Sequence, residues 1–80
     1  MVDKADIVTR MRVCFKSVFP NLSDEQVATA TRENIRTWDS QMTLTIVMLV
    51  EEEFNLWIGE RAASEIKSFD DAVRMTSEKL

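Results

Sequence analysis

Histidine and tyrosine are absent from this 80-residue sequence, and glycine, proline and cysteine occur once each. Without histidine the chain lacks the side chain that most often acts as general base or metal ligand near neutral pH. A single cysteine, Cys14, provides neither an internal disulfide nor a cysteine-pair zinc site. The only glycine, Gly59, cannot form a glycine-rich phosphate loop. So few chain breakers exclude the many tight turns of a β-sandwich and favour helices joined by short polar connections. The sequence does not read as an enzyme.

Basic clusters are missing as well. Ten Lys+Arg stand against 14 Asp+Glu, a net charge of −4. Nucleic-acid binders draw much of their affinity from basic patches, so no nucleic-acid partner is expected, and protein partners should be basic. The longest uncharged run lies between Asp39 and Glu51, well short of the ~20 residues that span a bilayer. Charged side chains crowd the first ten residues, unlike a secretory signal, and a lone cysteine suits a reducing compartment. These features lead us to expect a cytoplasmic monomer with no membrane span.

What is present is a balanced globular composition, 45% hydrophobic and 30% charged. Residues 1–80 read as one domain. A chain of this size buries only roughly 60% of its unfolded surface, which places function on the surface or in a small cavity. Ile7, Met11, Cys14, Phe15 and Val18 recur at spacings of three and four, predicting a helix from about Asp3 to Phe19 that ends at Pro20 and Asn21. Cys14 lies on that stripe and reads as an inert core residue.

The stretch from Pro20 to Trp38 reads as a long ordered connection. It contains one short helical turn through Val27 and Ala28, opened by a Ser23–Gln26 capping box, and Ile35 is its main later anchor. A second helix is predicted from Asp39 or Ser40 to Phe54 or Asn55, with Ile46, Val47, Val50 and Phe54 inward. A short third helix fits Glu60 to Glu65. A fourth runs from Phe69 to about Lys79, capped by Ser68, with Phe69, Ala72, Val73 and Met75 or Thr76 inward. The fold class is therefore all-α, a bundle of three long helices and one short one, with a long loop between the first and second.

The chemistry-bearing segment is Trp38-Asp39-Ser40-Gln41-Met42-Thr43-Leu44. Asp and Ser are both good N-caps, and only one can occupy the position. If Asp39 is the cap, the Ser40 hydroxyl is free at the positive end of a helix dipole, where an attached phosphate is stabilised. On these residues alone a plain cap is the simpler reading. Leu44 and Met48 form a second apolar pair on the same helix. Either they stay exposed for a partner or the Pro20–Trp38 connection covers them. Glu51, Glu52 and Glu53 read as a solvated face.

Asp39-Ser40, Leu44, Ile46-Val47-Met48 and Val50-Glu51-Glu52-Glu53-Phe54 together resemble the second helix of acyl carrier proteins. That helix opens on Asp-Ser-Leu and closes on Leu-Glu-Glu-Glu-Phe. Leu56 and Ile58 match the apolar pair that follows it, and Ile66 to Val73 matches the family's closing segment. The resemblance covers Trp38 to Val73 and implies a carrier-type helical bundle. It implies that Ser40 accepts 4′-phosphopantetheine from coenzyme A through a magnesium-dependent phosphopantetheinyl transferase, with Asp39 helping to position that enzyme. The arm would hold an acyl chain as a thioester for acyl-loading and acyl-processing enzymes. Partners would dock on Gln41, Leu44, Thr45, Met48, Glu51 and Glu52.

The chain also departs from the family pattern. Gln41 replaces a leucine, Met42 and Thr45 stand where acidic residues are common, and Leu49 stands where a small residue is common. These departures imply a specialised lipid, polyketide or secondary-metabolite route, with Leu49 reshaping any acyl cavity. The pattern assigns no role to Trp38 or Trp57. Two other readings stay open, a carrier-like helical module that binds partners without modification and an unrelated helical interaction domain.

Overall fold

Pro20 sets the first boundary of the structure, a computed structural model that describes residues 3–80. A residue preceding proline is pushed out of the helical region, and Phe19 ends helix α1 (Lys4–Val18) with φ −123° and ψ 72°. The other end of α1 is capped by Asp3, whose carboxylate accepts from the Ala5 N–H at 3.4 Å. Helix α2 (Asp24–Ala28) follows, and its capping box is complete: Gln26 N–H donates to Ser23 Oγ at 3.1 Å and Ser23 N–H to Gln26 Oε1 at 2.8 Å. Helix α3 (Ser40–Phe54) starts at the Asp39 cap and ends at Asn55, whose left-handed backbone stops the helix. Helix α4 (Gly59–Ala63) is short, and helix α5 (Phe69–Lys79) is capped by Ser68 through the Asp71 N–H at 3.0 Å.

The expected all-α bundle is present. The turn expected inside the first connection is a helix in its own right, so five helices form among the described residues. The short helix before the last begins at Gly59 and stops at Ala63, rather than running from Glu60 to Glu65. Its last predicted turn is replaced by tight backbone bonds from Glu65 and Ile66 to the carbonyls of Ala62 and Ala63. No helix among the described residues is long and apolar enough to cross a membrane.

One hydrophobic core joins all five helices. Helix α1 supplies Ile7, Met11, Cys14 and Phe15, and packs against α2, α3 and α5. Helix α3 contributes Ile46, Val47, Val50 and Phe54 as predicted, and α5 contributes Phe69, Ala72, Val73 and Thr76. Met75 is only partly buried. At the centre, the Phe15 ring meets Trp38 and Phe69 edge-on at centroid distances of 5.4 and 5.1 Å, and Phe19 also packs on Trp38. Edge-to-face contact of this kind adds to the burial of aromatic area.

The connection between α2 and α3 is anchored differently from the sequence expectation. Ile35 is half-buried, while Ala30 and Trp38 are buried. The backbone of 30–32 pairs with 67–69: Phe69 N–H donates to Ala30 C=O and Arg32 N–H to Lys67 C=O, about an isolated bridge of Thr31 with Ser68. Thr31 and Asn34 exchange side-chain to backbone bonds, which closes the intervening turn.

Two variants test this core. Phe54 is buried under the Arg10 guanidinium, whose carbon lies 4.4 Å from the ring centroid. Phe54→Ala should cost ~3–5 kcal/mol, read by denaturant unfolding; a loss below about 1 kcal/mol would contradict the packing. Burial, aided by the charge of Glu53, raises the Cys14 thiol from 9.0 to about 11. The unfolded thiol ionises first, so this contribution to stability is complete below about pH 9 and is lost as pH rises towards about 11. Unfolding free energy should therefore fall across that window, and Cys14→Ala should flatten the slope.

Candidate functional site

The geometry at the start of α3 decides which of two capping residues keeps a free side chain. Asp39 is the cap: Met42 N–H donates to its Oδ1 at 2.9 Å, and Thr43 N–H donates to its carbonyl at 3.1 Å. Ser40 is the first helical residue and is exposed. Among the described residues, no hydrogen bond involves its hydroxyl. That oxygen lies at the positive end of a fifteen-residue helix.

A buried relay holds this helix start in place. Trp38, 3% exposed, donates its indole N–H to Thr43 Oγ1 at 2.8 Å, and Thr43 Oγ1 donates to the Asp39 carbonyl at 3.2 Å. Trp38 is thus a core residue that ties the cap to the aromatic cluster. Met42 packs against the same core, so its apolar side chain serves the interior more than the surface.

Below Ser40, Gln41, Leu44, Thr45, Met48 and Glu52 are all exposed on α3. The Pro20–Trp38 connection does not cover Leu44 and Met48, which are 43% and 66% exposed. Thr45 returns its hydroxyl to the Gln41 carbonyl at 3.1 Å. Glu51 differs from the others. It is half-buried, and its Oε2 accepts from Ile58 N–H at 2.8 Å and Gly59 N–H at 3.2 Å. Glu53 is engaged too, accepting from Arg10 Nε at 2.8 Å. Two of the three glutamates read as a solvated run therefore hold other elements, and only Glu52 is free of such a contact.

Between α3 and α4 lies an open groove of about 320 Å³, lined by Leu44, Val47, Met48, Glu51, Trp57, Gly59 and Glu60. The residues beyond α3 were not singled out by the sequence pattern. Trp57 is 77% exposed, between half-buried Leu56 and buried Ile58. The backbone at Ile58 is helical rather than extended (φ −107°, ψ −50°), so no strand-like alternation signalled the outward Trp57. Leu49 is absent from this lining. It sits in another groove, between α1 and α3, with Val13, Cys14, Ser17, Glu52 and Glu53. A larger groove between α1, α2 and α5 shares no lining residue with α3.

Among the described residues, no cluster of His, Cys, Asp and Glu is placed to hold a metal ion. Comparison of the chain with protein-family models and with curated proteins finds no match.

Swapping the two capping candidates for alanine should separate their roles. Asp39→Ala should cost ~0.5–2 kcal/mol, whereas Ser40→Ala should stay within about 0.5 kcal/mol of wild type. Thermal melts of both variants decide this. A larger loss in Ser40→Ala would make that hydroxyl the cap.

Proposed function

We propose that this protein is an acyl carrier, modified on Ser40 with 4′-phosphopantetheine. The observation that carries the reading is the exposed, unbonded Ser40 hydroxyl at the first position of a long helix, with Asp39 taking the capping bonds. The Asp-Ser and Glu-Glu-Glu-Phe motifs at the two ends of that helix support it. The site suits the group: the serine oxygen is unoccupied by internal bonds, stands in solvent, and faces a helix dipole that favours a phosphodiester.

Attachment forms a bond from the Ser40 oxygen to the phosphorus of the pantetheine phosphate. The pyrophosphate bond of coenzyme A breaks, adenosine bisphosphate leaves, and the serine proton is lost to the transferase or solvent. When bound, the arm supplies a thiol that holds an acyl chain as a thioester. This chain's own residues do the rest. Asp39 and Thr43 hold Ser40 at the helix start, and Gln41, Leu44, Thr45, Met48 and Glu52 offer a docking face to a basic partner. Tethering raises the local concentration of cargo at each docked enzyme, so brief contacts are enough. Thr45, where the family often has an acidic residue, leaves the upper end of this face less acidic, which favours a dedicated lipid, polyketide or secondary-metabolite route.

A second reading is a helical binding module that is never modified; the exposed Leu44, Met48 and Trp57 favour it. Intact mass before and after incubation with coenzyme A, magnesium and a broad-specificity phosphopantetheinyl transferase separates the two. One phosphopantetheine increment, absent in Ser40→Ala, is the expected result. No increment with several transferases on folded protein would leave the binding module.

A further inference from the structure

The groove between α3 and α4 has an unusual wall. The Trp57 indole lies against Gly59, where an added Cβ would come within 2.6 Å of the ring. Gly59 also has φ +83°, a conformation that side-chain-bearing residues rarely adopt. Glycine at 59 therefore lets the ring settle onto the backbone. Glu51 secures the same segment by accepting from both Ile58 and Gly59 N–H groups. A large aromatic side chain left 77% exposed is thus seated by specific contacts beside Leu44 and Met48.

The position of this wall relative to Ser40 limits what can cover it. At 1.5 Å per residue, Leu44 lies about 6 Å and Met48 about 12 Å along the helix from Ser40. A protein interface of ordinary size covers about 800 Å² per partner, a disc of radius about 16 Å. An enzyme whose catalytic centre reaches Ser40 from this side of α3 would extend over the groove. The exposed charge at its rim comes from Glu60 and the nearby Glu52, and no lysine or arginine lines the groove. The complementary surface is an apolar projection ringed by basic residues.

We propose that enzymes acting on Ser40 dock on this groove with Trp57 as the anchoring contact, and that Glu51 is a positioning residue for Trp57. The proposal rests on the carrier reading of Ser40. Its occupant is a protein face of apolar centre and basic rim. Tryptophan is enriched among the few residues that dominate binding at such interfaces. Glu51 acts through the backbone of 58 and 59, and Glu52 acts through its charge.

Steady-state transfer of phosphopantetheine to the whole protein, with the same broad-specificity transferase, tests this. Trp57→Ala should raise the KM for the carrier at least tenfold with a much smaller change in kcat, and Trp57→Phe should recover most of the loss. Val13→Ala, at an exposed apolar position on α1, should leave KM unchanged. Glu51→Gln should keep much of what Glu51→Ala loses, because an amide oxygen still accepts the two N–H bonds, whereas Glu52→Gln should behave like Glu52→Ala. Circular dichroism melts confirm that each variant is folded. Normal modification with unchanged KM in Trp57→Ala overturns the proposal. It would pass the groove to the acyl chain if Trp57 emission shifts on acyl loading alone, or to a second copy if sedimentation shows a dimer that Trp57→Ala dissolves. No modification of the wild type overturns the carrier reading and this docking with it.

Discussion

The indole N–H of Trp38 and the hydroxyl of Thr43 form the bond on which the candidate site depends. Both groups are buried, and a buried donor without a partner costs free energy on the scale of a lost hydrogen bond. Their 2.8 Å contact satisfies both, and the Thr43 hydroxyl then reaches back to the Asp39 carbonyl. The start of α3 is thereby fastened to the Phe15, Phe19 and Phe69 cluster. Ser40 is exposed, yet it stands on a backbone whose position is set by the buried aromatic cluster.

The glutamates at the other end of α3 show how one stretch of charge can do different work. Glu53 pairs with Arg10, which also covers the Phe54 ring, joining α3 to α1. An exposed pair of this kind contributes little by itself, but the guanidinium adds packing over an aromatic face. Glu51 faces the opposite way and accepts two backbone N–H groups at the start of α4. These bonds hold the segment that carries Trp57. Charge at Glu51 is therefore spent inside the molecule, while Glu52 remains available to a partner.

Most of the helices were legible because their signals are local. Ser23 and Ser68 each cap the helix expected of them, since a short polar side chain three residues from an unpaired N–H has few better partners, and Asp39 takes the cap that the sequence left open between it and Ser40. The core faces of α1, α3 and α5 followed from spacings of three and four. The Pro20–Trp38 connection was harder to read. Its anchors are Ala30 and Trp38, and its backbone pairs with residues 67–69, thirty-seven positions away in the chain at the Thr31–Ser68 bridge. No periodicity reports a contact of that range. Leu49, expected to reshape an acyl cavity, borders an open groove between α3 and α1.

The amino-acid sequence by itself determined the all-α class, the choice of Asp39 as a possible cap, and the apolar pair Leu44–Met48 in excess of what a core needs. Local propensity and helical period are properties of neighbouring residues, so they survive without any fold. Only the tertiary structure decided that the pair stays uncovered, that Trp38 is buried while Trp57 is exposed, and that Glu51 is turned inward. Each of those outcomes depends on where a distant segment lies: the connection that passes Leu44 by, the aromatic cluster that takes in Trp38, and the α4 start that presents two N–H groups to Glu51.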